Sequence, residues 1–360
     1  MINKKFLTFL KNSILIENNK KYIILNTIFK KFDLLFRLKN KQIILILAKN
    51  SKESICCYLS CLLSGNLAMV IDDAINDEFL NKLINLYKPN YIFAENLDPK
   101  HKQYKKTNKI GKFAFYKSKT DYQFKINKKI AVLLTTSGST GTSKLVKLTY
   151  ENILENTKSI KKFLNINFKD VGITNMPMSY TYGLSVINTH VFSSAKLIVN
   201  NYPILNKFFW QTVYKHKVTN LNFVPFLCLI LKKLKFDNFN LNSLRLITSA
   251  GGSLEKSTWT YIAEVSKKKN IVFIPMYGAT EATSRMSYLP SKYLFNKLGS
   301  IGKTISGGEF KLINKKNIKI NEPFKVGEII YSGKNVFKGY AKNVNNLKNI
   351  ENFNELKTGD

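Results

Sequence analysis

The tightest constraint on the fold is the junction at residues 131–144. Ala131-Val132-Leu133-Leu134 run directly into residues 135–143, all threonine, serine or glycine, and then into Lys144. The apolar run reads as a buried strand. Glycines after a strand let the backbone turn tightly and bring its N–H groups against a ligand. Successive N–H groups form a nest for anions, to which hydroxyls add short donors and Lys144 adds positive charge. This combination suits a polyphosphate. It is not the P-loop pattern, because Gly141 is followed by Thr142-Ser143-Lys144 and not directly by Lys-Ser/Thr. A flexible Ser/Thr/Gly linker is the other reading. Against it, Leu145-Val146-Lys147-Leu148 resumes an apolar pattern at once.

The flanking chain alternates strands and helices. Residues 41–47 and 67–71 read as buried strands, with a helix over 51–63 between them. Ser51 or Ser54 caps that helix and Gly65 ends it. A helix over 80–86 and a strand over 91–94 follow. Such alternation predicts an α/β fold with a parallel sheet. The basic stretch 98–128 reads as a hairpin or surface excursion, and Thr149 with Asn152 as a weaker form of the capping box.

Further strands are expected over 171–176, 195–199, 220–224, 244–249 and 271–276, with helices over 208–214, 226–233 and 259–265. Pro177 is expected to stop its strand, with Tyr180 and Tyr182 projecting from a turn before Gly183. Ligands of α/β sheets bind beyond strand ends of this kind. The last of these strands leads into Tyr277-Gly278-Ala279-Thr280-Glu281-Ala282. There Glu281 is either a Mg²⁺ ligand, since magnesium sites combine one or two carboxylates with substrate phosphates, or a helix-start glutamate stabilised by the dipole. After Gly299 the segments shorten and alternate, as in 309–313 and 327–333. The expected division is αβ subdomains over 1–298 and a β-rich, antiparallel or barrel-like subdomain over 299–360.

Composition excludes several classes. The 57 basic and 23 acidic residues give a formal charge of +34. The lysines are spread along the whole chain, and arginine, the usual base reader, is confined to Arg37, Arg245 and Arg285. This is a Lys/Asn/Ile bias and not a specific nucleic-acid interface. No apolar run is long enough for a membrane span, and the N-terminus lacks the form of a secretory signal. Cys56, Cys57, Cys61 and Cys228 read as buried thiols in a reducing, cytoplasmic compartment. His101, His190 and His216 are too scattered for a zinc site.

Three loops taken together, Thr136-Ser137-Gly138-Ser139-Thr140-Gly141 through Lys144, Tyr277-Gly278-Ala279-Thr280-Glu281 and Thr358-Gly359-Asp360, resemble in order the signature motifs of the adenylate-forming enzymes. Leu148-Thr149-Tyr150-Glu151-Asn152, Pro177-Met178-Ser179-Tyr180, Ala250-Gly251-Gly252 and Gly327-Glu328 to Gly339-Tyr340 match as well. The resemblance covers nearly the whole chain and implies the large N-terminal domain of an AMP-forming acyl ligase. That family activates a carboxylic acid with ATP and Mg²⁺ to an acyl-adenylate. It then passes the acyl group to CoA or to the phosphopantetheine thiol of a carrier protein.

By this resemblance Thr136, Ser137, Gly138, Ser139, Thr140, Gly141 and Lys144 would grip the β- and γ-phosphates. Gly251, Gly252, Tyr277 and Gly278 would border the adenine, and Asp360 would accept the ribose hydroxyls. Thr280 would touch the α-phosphate and Glu281 would hold Mg²⁺, making Lys144, Thr280 and Glu281 the catalytic set. Tyr180, Tyr182, Phe226, Met286 and Ser287 are expected beside the acyl group. Pro177 to Ser185 carries no carboxylate for an ammonium, which disfavours an α-amino acid. Ser143 and Leu145 stand where relatives carry proline and glycine. The family's mobile C-terminal lid, with its adenylation lysine, is expected to be missing, through truncation or because a partner chain supplies it. A non-catalytic nucleotide-binding or interaction remnant is the alternative reading.

Overall fold

The strand Ile43–Ala48 is buried at every position. Successive side chains point to opposite faces of a sheet. Ile44 and Ile46 therefore enter one core with helix Lys52–Ser64, while Ile43, Leu45 and Leu47 enter another with helix Asp77–Tyr87. A strand covered on both faces reads as an unbroken apolar run. The structure, a computed structural model, describes residues 3–136, 144–353 and 355–360.

Ile43–Ala48 lies inside an eight-stranded sheet. It runs parallel to Leu67–Asp72 and Tyr91–Ala94, and Leu67–Asp72 runs parallel to Ile130–Leu134. Antiparallel strands extend both sides: Leu145–Thr149 and Tyr340–Ala341 on one, Phe113–Ser118 and Tyr104–Ile110 on the other. The last two form the hairpin expected in 98–128. Leu145 opens its strand in extended backbone, so the residue that replaces the family's glycine needs no left-handed conformation.

Local signals set the helix ends. The Ser51 hydroxyl accepts from the Ser54 N–H, and Gly65 closes that helix at φ 82°. The capping box of helix Tyr150–Leu164 is complete: Asn152 N–H donates to Thr149 Oγ1 at 3.2 Å, and Thr149 N–H donates to Asn152 Oδ1 at 2.9 Å. The Asn152 amide also donates to the carbonyls of Lys334 and Val336, which ties the helix start to the C-terminal region.

A second sheet carries the parallel strands Asn220–Phe223, Leu246–Ser249 and Val272–Tyr277, continued antiparallel by Ser287–Tyr288 and Lys303–Thr304. A third joins Val171–Ile173, Lys196–Ile198, Ile14–Glu17 and Lys20–Ile23. The antiparallel pattern expected after Gly299 is a four-stranded sheet of Lys319–Ile320, Gly308–Ile313, Glu328–Gly333 and Glu355–Lys357. Among the described residues no helix is long and apolar enough to cross a membrane.

One stretch differs from expectation. The strand ends at Ile173, before Pro177, and Tyr182 lies inside helix Thr181–Phe192 and not in a turn. Gly183 serves close packing there, because a Cβ would stand 2.1 Å from the Pro177 carbonyl oxygen.

Asp170 ties the helical layer to two sheets. Its carboxylate, 2% exposed, accepts from Arg245 Nε at 2.7 Å and Nη2 at 2.8 Å, from Thr219 Oγ1 and from the Asn167 N–H. Burial opposes ionisation, but Arg245 and the other donors outweigh it and hold the carboxyl below its ordinary value. The associated stability is present above the usual carboxylate range and is lost as pH falls through the folded value. Arg245 is 37% exposed, so screening limits the contribution to about 1–2 kcal/mol. Asp170→Asn is expected to lower urea stability by that amount at pH 7, with the gap from the parent closing toward pH 3.

Candidate active site

The carboxyl ends of Ile130–Leu134, Leu246–Ser249 and Val272–Tyr277 open on one cleft of about 580 Å³. Strand ends are where α/β sheets bind ligands, because the chain leaves the sheet there in loops with free backbone groups. Thr136, Tyr180, Tyr182, Gly251, Gly252, Tyr277, Gly278, Thr280, Glu281 and Asp360 all border this cleft. Residues from five separate segments, spaced across the chain, thus meet at one opening. Ser137, Gly138, Ser139, Thr140 and Gly141 lie outside the described residues. Thr136 and Lys144 flank them.

Two glycines bring backbone into the cleft wall. Gly251 has φ +90°, and a Cβ there would stand 2.4 Å from Tyr180 Oη. Gly278 is packed harder: a Cβ would lie 1.7 Å from the Ser284 carbonyl oxygen. The loop between them and the next strand is pinned, with the Met286 N–H donating to the Tyr277 carbonyl at 2.9 Å. The short turn Thr280–Ala282 then presents Glu281.

Two hydrogen-bonded pairs set the polar geometry. Tyr277 Oη donates to Asp360 Oδ2 at 2.5 Å. Burial, and then the Asp360 carboxylate, push the Tyr277 phenol up. Tyr340 Oη donates to Glu281 Oε1 at 2.7 Å, and burial, followed by Glu281, pushes that phenol up too. Lys144 Nζ sits 4.3 Å from the centroid of the Tyr340 ring. Lys144, Tyr340 and Glu281 therefore form one stacked and hydrogen-bonded unit, with a cation on the ring face. Of the two Glu281 carboxylate oxygens, only Oε1 carries a side-chain hydrogen bond among the described residues, from Tyr340. Among the described residues no group of three or more His, Cys, Asp and Glu converges as a protein-only metal cage. A single carboxylate completed by phosphates suits Mg²⁺. The helix-dipole reading of Glu281 has only a three-residue turn to act through.

Tyr340→Phe keeps the ring under Lys144 and removes the hydroxyl that orients Glu281. It is expected to raise the Mg²⁺ concentration for half-maximal activity roughly tenfold, the scale of one hydrogen bond to a charged group. A Mg²⁺ titration of parent and variant checks this, and an unchanged midpoint would count against the positioning role.

The acyl-side residues divide. Tyr180 is half-buried on the wall, and Tyr182 is buried behind it, sharing a 2.7 Å hydrogen bond with Thr248 Oγ1. Phe226, Met286 and Ser287 do not border the cleft. Phe226 is 67% exposed, on the outer face of helix Pro225–Lys233. Met286 points into the core and is fully buried, and Ser287 Oγ donates to the Ile301 carbonyl at 2.7 Å. Two residues lacked an assigned role in the sequence reading: Tyr340, and the buried Arg285 whose guanidinium faces the Tyr182 ring at 4.5 Å. An arginine kept in a lysine-rich chain, directly after the uncharged run Ala282-Thr283-Ser284, was the available signal for the second.

The fold is an α/β domain with one cleft beyond the carboxyl ends of its parallel strands, and comparison with known proteins assigns its class. A family model for AMP-binding enzymes matches residues 34–341. The chain belongs to the AMP-binding enzyme family. It is 30% identical over 237 residues to the 2-succinylbenzoate--CoA ligase of Oceanobacillus iheyensis, covering 64% of this chain and 46% of that protein. It is 26% identical over 367 residues to the luciferin 4-monooxygenase of Photuris pensylvanica, covering 92% of this chain and 65% of that protein. The chain thus spans about half the length of the first relatives it matches. In fold it matches the O-succinylbenzoate coenzyme A synthetase of Bacillus subtilis. The complex with AMP superposes with a TM-score of 0.80 at 20% identity, covering 100% of this chain and 76% of that one. The complex with ATP and a magnesium ion gives a TM-score of 0.77.

Proposed function

We propose that the cleft binds ATP with Mg²⁺ and activates a carboxylic acid as its acyl-adenylate, for transfer to CoA or to a carrier-protein thiol. The convergence of Thr136, Tyr277, Thr280, Glu281 and Asp360 on one cleft carries this reading. The Bacillus subtilis synthetase of the same fold, solved with AMP and with ATP and magnesium, supports it. In this division residues 1–298 would carry the phosphate loop and pockets, while 299–360 supply Asp360 at the cleft and Tyr340, whose strand joins the eight-stranded sheet beside Leu145–Thr149.

The chemistry is set by charge. A carboxylate is a poor electrophile, since its leaving group would be oxide. Its oxygen instead attacks the α-phosphorus of ATP, forming the acyl–O–P bond as the bond to pyrophosphate breaks. Both reactants are anionic, so the protein's task is positioning and neutralisation. In this reading Lys144 would serve the phosphate tail, Thr280 the α-phosphate, and Asp360 with Tyr277 the ribose and adenine. Glu281 would hold Mg²⁺ together with the phosphates, and the ion would supply neutralisation of charge on oxygen. A thiol then adds to the acyl carbonyl and AMP leaves. The family's lid, present in the same polypeptide or added in trans, belongs to both steps. Buried free thiols fit a reducing, cytoplasmic setting.

Exchange of labelled pyrophosphate into ATP, run over a panel of carboxylic acids with and without an added lid domain, tests the reading. Exchange that requires both Mg²⁺ and one acid is expected. Nucleotide binding with no exchange for any acid would instead make this a binding module without chemistry.

A further inference from the structure

Lys147 lies in the strand Leu145–Thr149 and is 2% exposed. Side chains alternate along a strand. Lys147 therefore shares a face with Leu145, in the core that also takes Ala341, Val344 and Leu347. A lysine placed there must find acceptors inside the protein. Nζ donates to the carbonyls of Asn346 at 3.3 Å and Asn349 at 3.1 Å, and to Glu351 Oε1 at 3.4 Å. An ammonium has three hydrogens to give, and all three go to one short segment far along the chain.

That segment follows directly on Tyr340. The Lys147 N–H donates to the Gly339 carbonyl and the Lys338 N–H to the Lys147 carbonyl, each at 2.9 Å, while the Glu351 N–H donates to the Lys338 carbonyl at 3.2 Å. Gly339 leaves room for the acid: its φ is +93°, and a Cβ would stand 2.1 Å from Glu351 Oε1. Backbone and side chains thus close a clamp one residue before Tyr340. The strand that begins there, Tyr340–Ala341, has two residues. It pairs Tyr340 with Val146 and Ala341 with Leu145, and so short a ladder holds its own register weakly. A slip of one residue exchanges the faces of its side chains. Tyr340 would then leave the face on which it meets Lys144 and Glu281, and Ala341 would take its place. Tyr87 Oη, donating to the Ala341 carbonyl at 2.6 Å, holds the far end of the strand.

We propose that Lys147 is a positioning residue for the nucleotide site. Through Glu351 and the carbonyls of Asn346 and Asn349 it sets the register of Tyr340–Ala341, and with it the ring and hydroxyl that align Lys144 and Glu281. This rests on the acyl-adenylation reading and adds to it a residue that does not border the cleft.

Lys147→Met tests it on the whole chain, since methionine fills irregular apolar space and a buried ion is often replaced without loss of stability. Two readouts do not depend on turnover. Hydrogen exchange of the peptide covering 338–342 is expected to quicken on the order of tenfold as the clamp opens. Calorimetry of ATP with Mg²⁺ and with EDTA gives the affinity gained from the ion. That gain is expected to fall on the order of tenfold, with AMP affinity within about twofold of the parent. Added to Tyr340→Ala, Lys147→Met should cost less than about twofold more, because its effect runs through that side chain. Glu351→Gln, at the half-exposed end of the clamp, should lower the gain about threefold and decides the matter if Lys147→Met does not fold. Unchanged exchange across 338–342, or an unchanged gain from Mg²⁺, overturns the inference and leaves the nucleotide site standing. So does a loss that multiplies with that of Tyr340→Ala, or an AMP affinity that falls in step with urea stability, either of which makes Lys147 a purely structural residue. A parent chain that binds neither AMP nor ATP overturns the site reading, and this inference with it.

Discussion

Glu281→Ala is expected to reduce Mg²⁺-dependent exchange of pyrophosphate into ATP by about 10²- to 10³-fold, the scale of removing one preorganised charge-stabilising group from a site. The fold should survive the change. Glu281 contributes to structure mainly through its backbone carbonyl, which accepts from the Phe337 N–H at 2.7 Å and does not depend on the side chain. AMP affinity should change little, because Gly251, Gly252, Tyr277 and Asp360 border the cleft independently of Glu281. Glu281→Gln separates charge from geometry. It keeps an acceptor for Tyr340 Oη but loses the negative charge, and should lose nearly as much activity as the alanine variant. Full exchange in either variant would remove Glu281 from the metal site.

The parts of this site that were legible in the sequence share a physical origin. Parallel strands covered on both faces leave unbroken apolar runs, and the loops that leave them must be small to expose backbone. The runs 131–136, 246–252 and 272–281 carry both marks, and Thr136, Gly251, Gly252 and Glu281 border the cleft. Caps were legible for a related reason: Thr149 and Asn152 act through local backbone donors. Facing was harder to read. Met286 and Ser287 follow the Glu281 turn closely, but Met286 pairs back onto Tyr277 as the chain enters an antiparallel strand, and both side chains turn inward. Phe226 begins a helix whose apolar side is set by Cys228, Ile230 and Leu231, which leaves the phenylalanine outside. Pro177 and Gly183 gave a turn signal where the structure has a helix, because glycine also serves close approach of backbones. Arg285 offered only the weak signal of an arginine in a lysine-rich chain, and its burial without a carboxylate partner among the described residues is a matter of packing.

Gly278 is expected to tolerate no side chain, and here the effect falls on fold and site together. A Cβ would lie 1.7 Å from the Ser284 carbonyl oxygen and 2.9 Å from Arg285 Cα, both backbone atoms that no rotamer change can move. The loop cannot simply open. Thr181 Oγ1 donates to the Thr283 carbonyl, Asn335 Nδ2 to that of Ala282 and Asn156 Nδ2 to that of Arg285, each at 2.8 Å. Relief of the clash must break some of these bonds, each buried and without water to replace it. Overpacking of this kind costs about 3 kcal/mol. The same displacement carries Thr280 and Glu281, so nucleotide binding should fall with stability. Gly252→Ala is the matched control for stability, since its Cβ would meet the Pro225 ring at 3.5 Å (Cγ) and 3.9 Å (Cδ), ordinary contacts. Urea denaturation of the two variants should therefore differ by most of that ~3 kcal/mol. Equal midpoints would mean that the Gly278 loop yields without cost, and the close backbone approach would then have no part in holding the Glu281 turn.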